Sequence, residues 1–253
     1  MRQLFRWMVL VALQSLTGTA WAERPKVVID AGHGGSNTGA PARAVGSYEK
    51  RVTLAVARRL AVDLKARGFD VVMTRTRDEY LTLRERVRRA NAEHPDVFIS
   101  LHTNASGRGA QHGIETWVLA RDAADVEARR AATREPDDVQ ALLAELKVLE
   151  AHRQSGLLAH AVQSHLIAAT GALDRGVRQF GYDVLAGVEA PAVLVEMGFL
   201  DHPVEGAALF TAWRQQQIAT ALAAGIEELV DALHGTQKLV MSSAHATRRP
   251  TTR

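Results

Sequence analysis

Two histidines and two glutamates stand where they could do chemistry: His33, Glu49, His102 and Glu196, at successive separations of 16, 53 and 94 residues. His33 lies in Lys26-Val27-Val28-Ile29-Asp30-Ala31-Gly32-His33-Gly34-Gly35, where a short β-prone run ends in a glycine-flanked histidine. His102 ends Asp96-Val97-Phe98-Ile99-Ser100-Leu101-His102, and Glu196 ends Ala192-Val193-Leu194-Val195-Glu196. Short apolar runs of this kind read as buried strands. Two imidazoles and a carboxylate are a standard set for a catalytic zinc ion, and a fourth group that is not a ligand then serves as general base. Each residue also has a plainer reading. The first motif could be a Gly-rich turn with an incidental histidine, and His102 could be a satisfied strand-end residue. Glu49 could simply favour a helix N-terminus, a placement worth about 0.3–1 kcal/mol. Glu196 resists a plain reading, because a carboxylate after four apolar residues needs a partner.

In one sheet these side chains can converge although they are far apart in sequence. The glycines after Ile29 allow a sharp turn, which puts His33 at the C-terminal edge of a strand, where open α/β sheets bind ligands. A polar loop, Ser36 to Ser47, leads to a helix from Tyr48 or Glu49 to Arg67, with Ser47 as its expected cap. Val52, Val56, Leu60 and Leu64 mark its buried face, and Gly68 stops it. Phe69 to Arg75 reads as the second strand, and Arg75 at its end is a candidate support or substrate contact. Thr82-Leu83-Arg84-Glu85 has capping-box spacing and opens a basic helix that ends before His94-Pro95.

Beyond His102, Gly113 to Leu119 alternates polar and apolar residues and is expected as an edge strand. Residues 121–155 have no glycine, one proline and dense mixed charge, a composition that favours helix. A further helix is expected over Leu157 to Ala169, then strands at Tyr182–Leu185 and Ala192–Glu196. A closing amphipathic helix, Thr211 to Leu233, carries Ile218, Leu222, Ile226, Leu229 and Leu233 on one side. Strands alternating with helices imply a three-layer α/β/α sandwich around one twisted, mostly parallel, mixed sheet.

The ends differ from the body. Arg2 and Arg6 precede a short apolar run, and Ala20-Trp21-Ala22 has the small-x-small form of a signal-peptidase site, so residues 1–22 read as a cleaved signal peptide. No membrane anchor is expected after cleavage, and the mature chain is expected to start at Glu23 and to act as a monomer outside the cytoplasm. There is no cysteine, so an exported fold must rest on its apolar core. The chain's net charge of +3 falls to −3 over residues 23–233 once Arg2, Arg6, Lys238, Arg248, Arg249 and Arg253 are set aside. Basic ends on an acidic body argue against nucleic-acid binding. Residues 234–253 are expected to be a disordered basic tail.

Four stretches together resemble the N-acetylmuramoyl-L-alanine amidases of the zinc-dependent amidase-3 family: Val28 to Gly35, Tyr48-Glu49-Lys50, Ser100 to Ala105, and Val193 to Phe199. The likeness runs in order from about Lys26 to Leu233. It implies that His33, Glu49 and His102 hold one Zn²⁺ and that Glu196 is the catalytic glutamate. It also implies cleavage of the amide between N-acetylmuramic acid and L-alanine of peptidoglycan, in the periplasm or in the medium if there is no outer membrane. A secreted zinc peptidase of other specificity and a non-catalytic wall-binding scaffold are the competing expectations. Asp201-His202 stands where the family often has Ser-Asn. Residues 121–155 resemble the inserted helix of the cell-division amidases, which covers the zinc until a LytM-type partner protein moves it. In that reading Glu135 is the candidate plug. The stripe Val139, Leu142, Leu143, Leu146 and Leu149 belongs either to the plug or to a helix packed on the core.

Overall fold

Alternate residues of the first strand, β1 (Lys26–Ala31), serve two different cores. Val27, Ile29 and Ala31 join one buried cluster and Val28 joins another, as the period of two along a strand requires. The computed structural model describes residues 24–246; the segment read as a signal peptide and residues 247–253 lie outside that range. After β1, a two-residue pair β2 (Pro41–Ala42) and β3 (Ser47–Tyr48) frames the loop that enters helix α1 (Glu49–Ala66). Then come β4 (Asp70–Met73), α2 (Leu83–Ala92), β5 (Val97–Asn104), β6 (Ile114–Leu119), α3 (Arg121–Ala132), α4 (Asp138–Thr170), β7 (Asp174–Phe180), β8 (Ala192–Phe199), α5 (Pro203–Ala208) and α6 (Ala212–Ala246).

The six long strands form one sheet in the order β4-β1-β5-β8-β6-β7. The first four are parallel, β6 runs antiparallel to β8, and β7 is parallel to β6. The C-terminal ends of β1, β5 and β8 therefore meet the N-terminal ends of β6 and β7 on one rim. Helices cover both faces, as expected of a mixed α/β/α sandwich. The thicker core packs Val52, Val56, Leu60 and Leu64 of α1, Leu158, Val162 and Leu166 of α4, and Ile218, Leu222 and Ile226 of α6 against the sheet. The thinner core holds Phe98 and Leu194 against Ala90 of α2 and the turn residues Val184 and Leu185.

Several local expectations change. The strand expected at Tyr182–Leu185 is a turn, and its apolar residues are buried beneath the sheet rather than in it. The strand of that region is β7, whose polar sequence suits an edge with a neighbour on one side only. Consequently β6 is an interior strand, not an edge. Ser47 does not cap α1; Tyr48 precedes the helix without a side-chain cap, while Ser47 Oγ accepts from Arg51 Nη1 at 3.4 Å. The capping box of Thr82 and Glu85 forms as read. The second half of the insert and the helix after it are one unbroken helix, α4. The closing helix continues past Leu233 to Ala246, so the first part of the segment expected to be disordered is helical.

Candidate functional site

Glu49, the first residue of α1, is buried and bridges the two histidines. Its Oε2 lies 3.0 Å from His33 Nε2 and its Oε1 lies 3.1 Å from His102 Nδ1. The backbone amides of Ala40 and Thr103 also donate to this carboxylate, both at 2.9 Å. Burial works against its charge, but the hydrogen bonds and charges of His102 and His33 overcome burial and hold its pKa far below the ordinary value. For His33, burial disfavours the imidazolium, and Glu49 outweighs it, so its pKa is raised. His33 Nδ1 donates to Asn37 Oδ1 at 2.9 Å, which fixes the ring and leaves Nε2 facing the cluster. His33 itself has φ of 59°, a strained value for a non-glycine residue. Gly32 is required beside it, since a Cβ there would come within 2.5 Å of His102 Nε2 and 2.7 Å of Leu101 O.

The donor atoms of His33, Glu49 and His102 lie within 4.8 Å of one another and could hold a metal ion, the only such group among the described residues. Two imidazole nitrogens and a carboxylate oxygen are the donor chemistry that zinc accepts. Glu196 is the register partner of His102 across β5 and β8. Its Oε2 is buried without a hydrogen-bond partner, an orphan that an occupied site would satisfy. Burial, and then the charges of Glu49 and Glu115, push its pKa well above the ordinary carboxylate range. Three candidate ligands and one unpartnered carboxyl group thus share the rim.

The family model for N-acetylmuramoyl-L-alanine amidase matches residues 27–228. The chain belongs to that amidase family. Among its relatives, AmiA of Escherichia coli (strain K12), an N-acetylmuramoyl-L-alanine amidase, is 33% identical over 215 residues, covering 79% of this chain and 74% of AmiA. The uncharacterised protein YqiI of Bacillus subtilis (strain 168) is 33% identical over 236 residues, covering 91% of this chain and 100% of YqiI. The crystal structure of N-acetylmuramoyl-L-alanine amidase from Clostridium difficile 630 superposes with a TM-score of 0.67 at 30% identity, covering 83% of this chain and 98% of that one.

In this amidase the loop that carries His33 is held from behind by two buried guanidinium groups. Arg75 Nε donates to Ala31 O at 2.8 Å, and its Nη2 donates to Gly32 O at 2.9 Å and Lys50 O at 3.0 Å. Arg86 of α2 donates to Ala31 O at 2.7 Å, to His33 O at 2.6 Å and to Asp30 Oδ1 at 2.8 Å. Asp30 also accepts from Thr74 and Ser100. Burial, and then the neighbouring Arg86, push Arg75 down to about 10, so it stays charged at neutral pH. Arg75, a candidate support or substrate contact in the sequence, is therefore a support. Asp30 and Arg86 were not singled out in the sequence, although an aspartate inside an apolar strand is the signal that could have found them.

Glu135 is not brought to this cluster. It sits in the turn between α3 and α4, beside Lys147, Val148 and Glu189. Glu189 precedes β8, so this turn lies at the rim opposite Glu196, and Glu135 does not plug the site in this structure. Val139, Leu142, Leu143 and Leu146 are exposed rather than packed on the core. Asp201 and His202 do have polar roles: Asp201 accepts from Ser106 and Gly109, and His202 Nδ1 accepts from Glu205 N at the start of α5.

Proposed function

We propose that this protein is a zinc-dependent N-acetylmuramoyl-L-alanine amidase that cleaves the amide between N-acetylmuramic acid and L-alanine in peptidoglycan, for wall remodelling or daughter-cell separation. The observation that carries the reading is the convergence of the His33, Glu49 and His102 donors beside the orphaned Oε2 of Glu196. A zinc ion held by those three residues would supply Lewis-acid polarisation of the amide carbonyl and of the attacking water. Glu196 takes the proton from that water as the new C–O bond forms. It holds the proton on its carboxyl group and passes it to the leaving amine as the C–N bond breaks. The backbone amides of Ala40 and Thr103, which donate to Glu49, would hold its carboxylate in place as a ligand.

A periplasmic site of action, or the medium where there is no outer membrane, follows from the signal-like residues 1–22 and the substrate class. Among the described residues no helix is long and apolar enough to cross a membrane. A LytM-type activator fits the α3–α4 hairpin, since Val139, Leu142, Leu143 and Leu146 leave an apolar row open at the start of α4.

Digestion of purified peptidoglycan, read by mass spectrometry, tests the activity. Free stem peptides with intact glycan strands are expected. Cuts within the stems would point to a peptidase, and no release to a scaffold. In the same assay Glu196→Gln should keep its zinc and lose about 10²-fold or more in turnover. Loss of metal together with activity would mean that Glu196 is a ligand.

A further inference from the structure

The active rim continues beyond Glu196 along a row of side chains that the reaction has not used. Glu115 of β6 is the register partner of Glu196 and is buried. Its Oε1 accepts from Asn104 Nδ2 at 2.8 Å, and its Oε2 faces Arg175 Nε at 3.0 Å and Arg178 Nε at 3.3 Å. The two arginines come from the edge strand β7 and differ in what remains free. Arg175 also donates to His112 O and Gln111 Oε1, so its terminal nitrogens are taken up by the protein. Arg178 uses only Nε, towards Glu115 and Arg175 O, and lies over the Trp117 ring with its Cζ 5.6 Å from the centroid. Its side chain is 44% exposed, and its two terminal nitrogens have no partner among the described residues. Arg178 is thus a guanidinium held in place with its fork open to solvent, the form in which arginine recognises carboxylates.

Direction and distance say which carboxylate. Glu196 must reach the leaving amine, so the peptide half of the substrate leaves the scissile bond on the Glu196 side, towards β6 and β7. From β8 to β7 is two strand spacings, roughly 10 Å, and although Arg178 stands opposite Trp117, two residues along from the Glu196–Glu115 pair, its side chain reaches back so that Nε faces Glu115 Oε2 at 3.3 Å. A peptide advances about 3.5 Å per residue, so the carboxylate of the second residue, with one hydrogen bond added, ends at about that distance. Trp117, Tyr182 and the exposed Phe180 pack edge to face beside Arg178 and give this stretch an apolar floor.

We propose that Arg178 binds the free α-carboxylate of the stem-peptide residue that follows L-alanine, and so sets the preference of the enzyme for acidic over amidated stems. This rests on the amidase reading. The test uses the full mature chain and two synthetic muramoyl tripeptides whose second residue is a glutamate joined to the third through its side-chain carboxyl, identical except that its α-group is a free carboxylate in one and a carboxamide in the other. The parent should show a KM about tenfold lower for the carboxylate compound, and Arg178→Gln should raise that KM about tenfold and erase the difference. Arg178→Lys, which keeps a cation, should restore part of it. Binding of the two free tripeptides, measured by calorimetry, should show the same preference and the same loss. Equal KM values in the parent, or a preference that survives Arg178→Gln, would overturn the assignment. If the parent cleaves neither compound the amidase reading falls, and the calorimetric comparison still decides the role of Arg178.

Discussion

Arg86 decides more about His33 than any residue next to it in sequence. Its guanidinium donates to the carbonyls of Ala31 and His33 while pairing with Asp30, so the strained left-handed backbone of His33 is tied to a buried ion pair. Removing one member of a buried ion pair leaves the other uncompensated, at a cost of about 3–5 kcal/mol. Arg86→Met should therefore lower zinc affinity by about 10- to 100-fold, read by competition with a chromogenic chelator, in protein whose circular dichroism is native. Unchanged zinc affinity in that folded variant would show that the lock supports stability alone. The four residues at the rim were legible in the sequence because each follows an apolar run or opens a helix. Glu115, Asp30 and Arg86 were not, since what makes them informative is a partner 55 residues or more away or on a strand whose neighbours the sequence does not name.

At the scale of elements, the strands with apolar runs were readable, the edge strand β4 among them, and β7 was misplaced. β7 has one neighbour and a polar sequence, so no apolar run marks it, while the apolar Val184 and Leu185 fill the thin core from a turn. The same ambiguity hid the unity of α4, because its first half shows an apolar stripe whether or not anything covers it. In the structure the stripe is open, and Glu135, expected from the sequence as a plug, stands at the far rim. A double substitution, Leu142→Glu with Leu146→Glu, should leave basal cleavage of peptidoglycan at the parent level and abolish its stimulation by a LytM-type protein from the same organism. Stimulation that persists in the double variant would remove the row from the contact surface.

At the scale of the whole molecule, one rim of the sheet gathers the proposed chemistry, with Glu49 added from the first turn of α1. The parallel strands β1, β5 and β8 deliver the His33 loop, His102 and Glu196 to one rim, and the reversed pair β6 and β7 brings Glu115 and Arg175 to the same rim from the other direction, with the Arg178 side chain reaching back towards Glu115. The alternation of strands and helices made the sandwich legible, but the reversal of β6 was not, since direction depends on which strand β6 pairs with rather than on its own residues. The central claim is that this rim works with one zinc ion per chain. The measurement is a titration of chelator-stripped mature protein with Zn²⁺, following bound metal and stem-peptide release in the same samples. Release should rise from near zero and level off at one ion per chain, and His102→Ala should bind no zinc at the concentrations that saturate the parent. Full stem-peptide release by the metal-free protein would contradict the account.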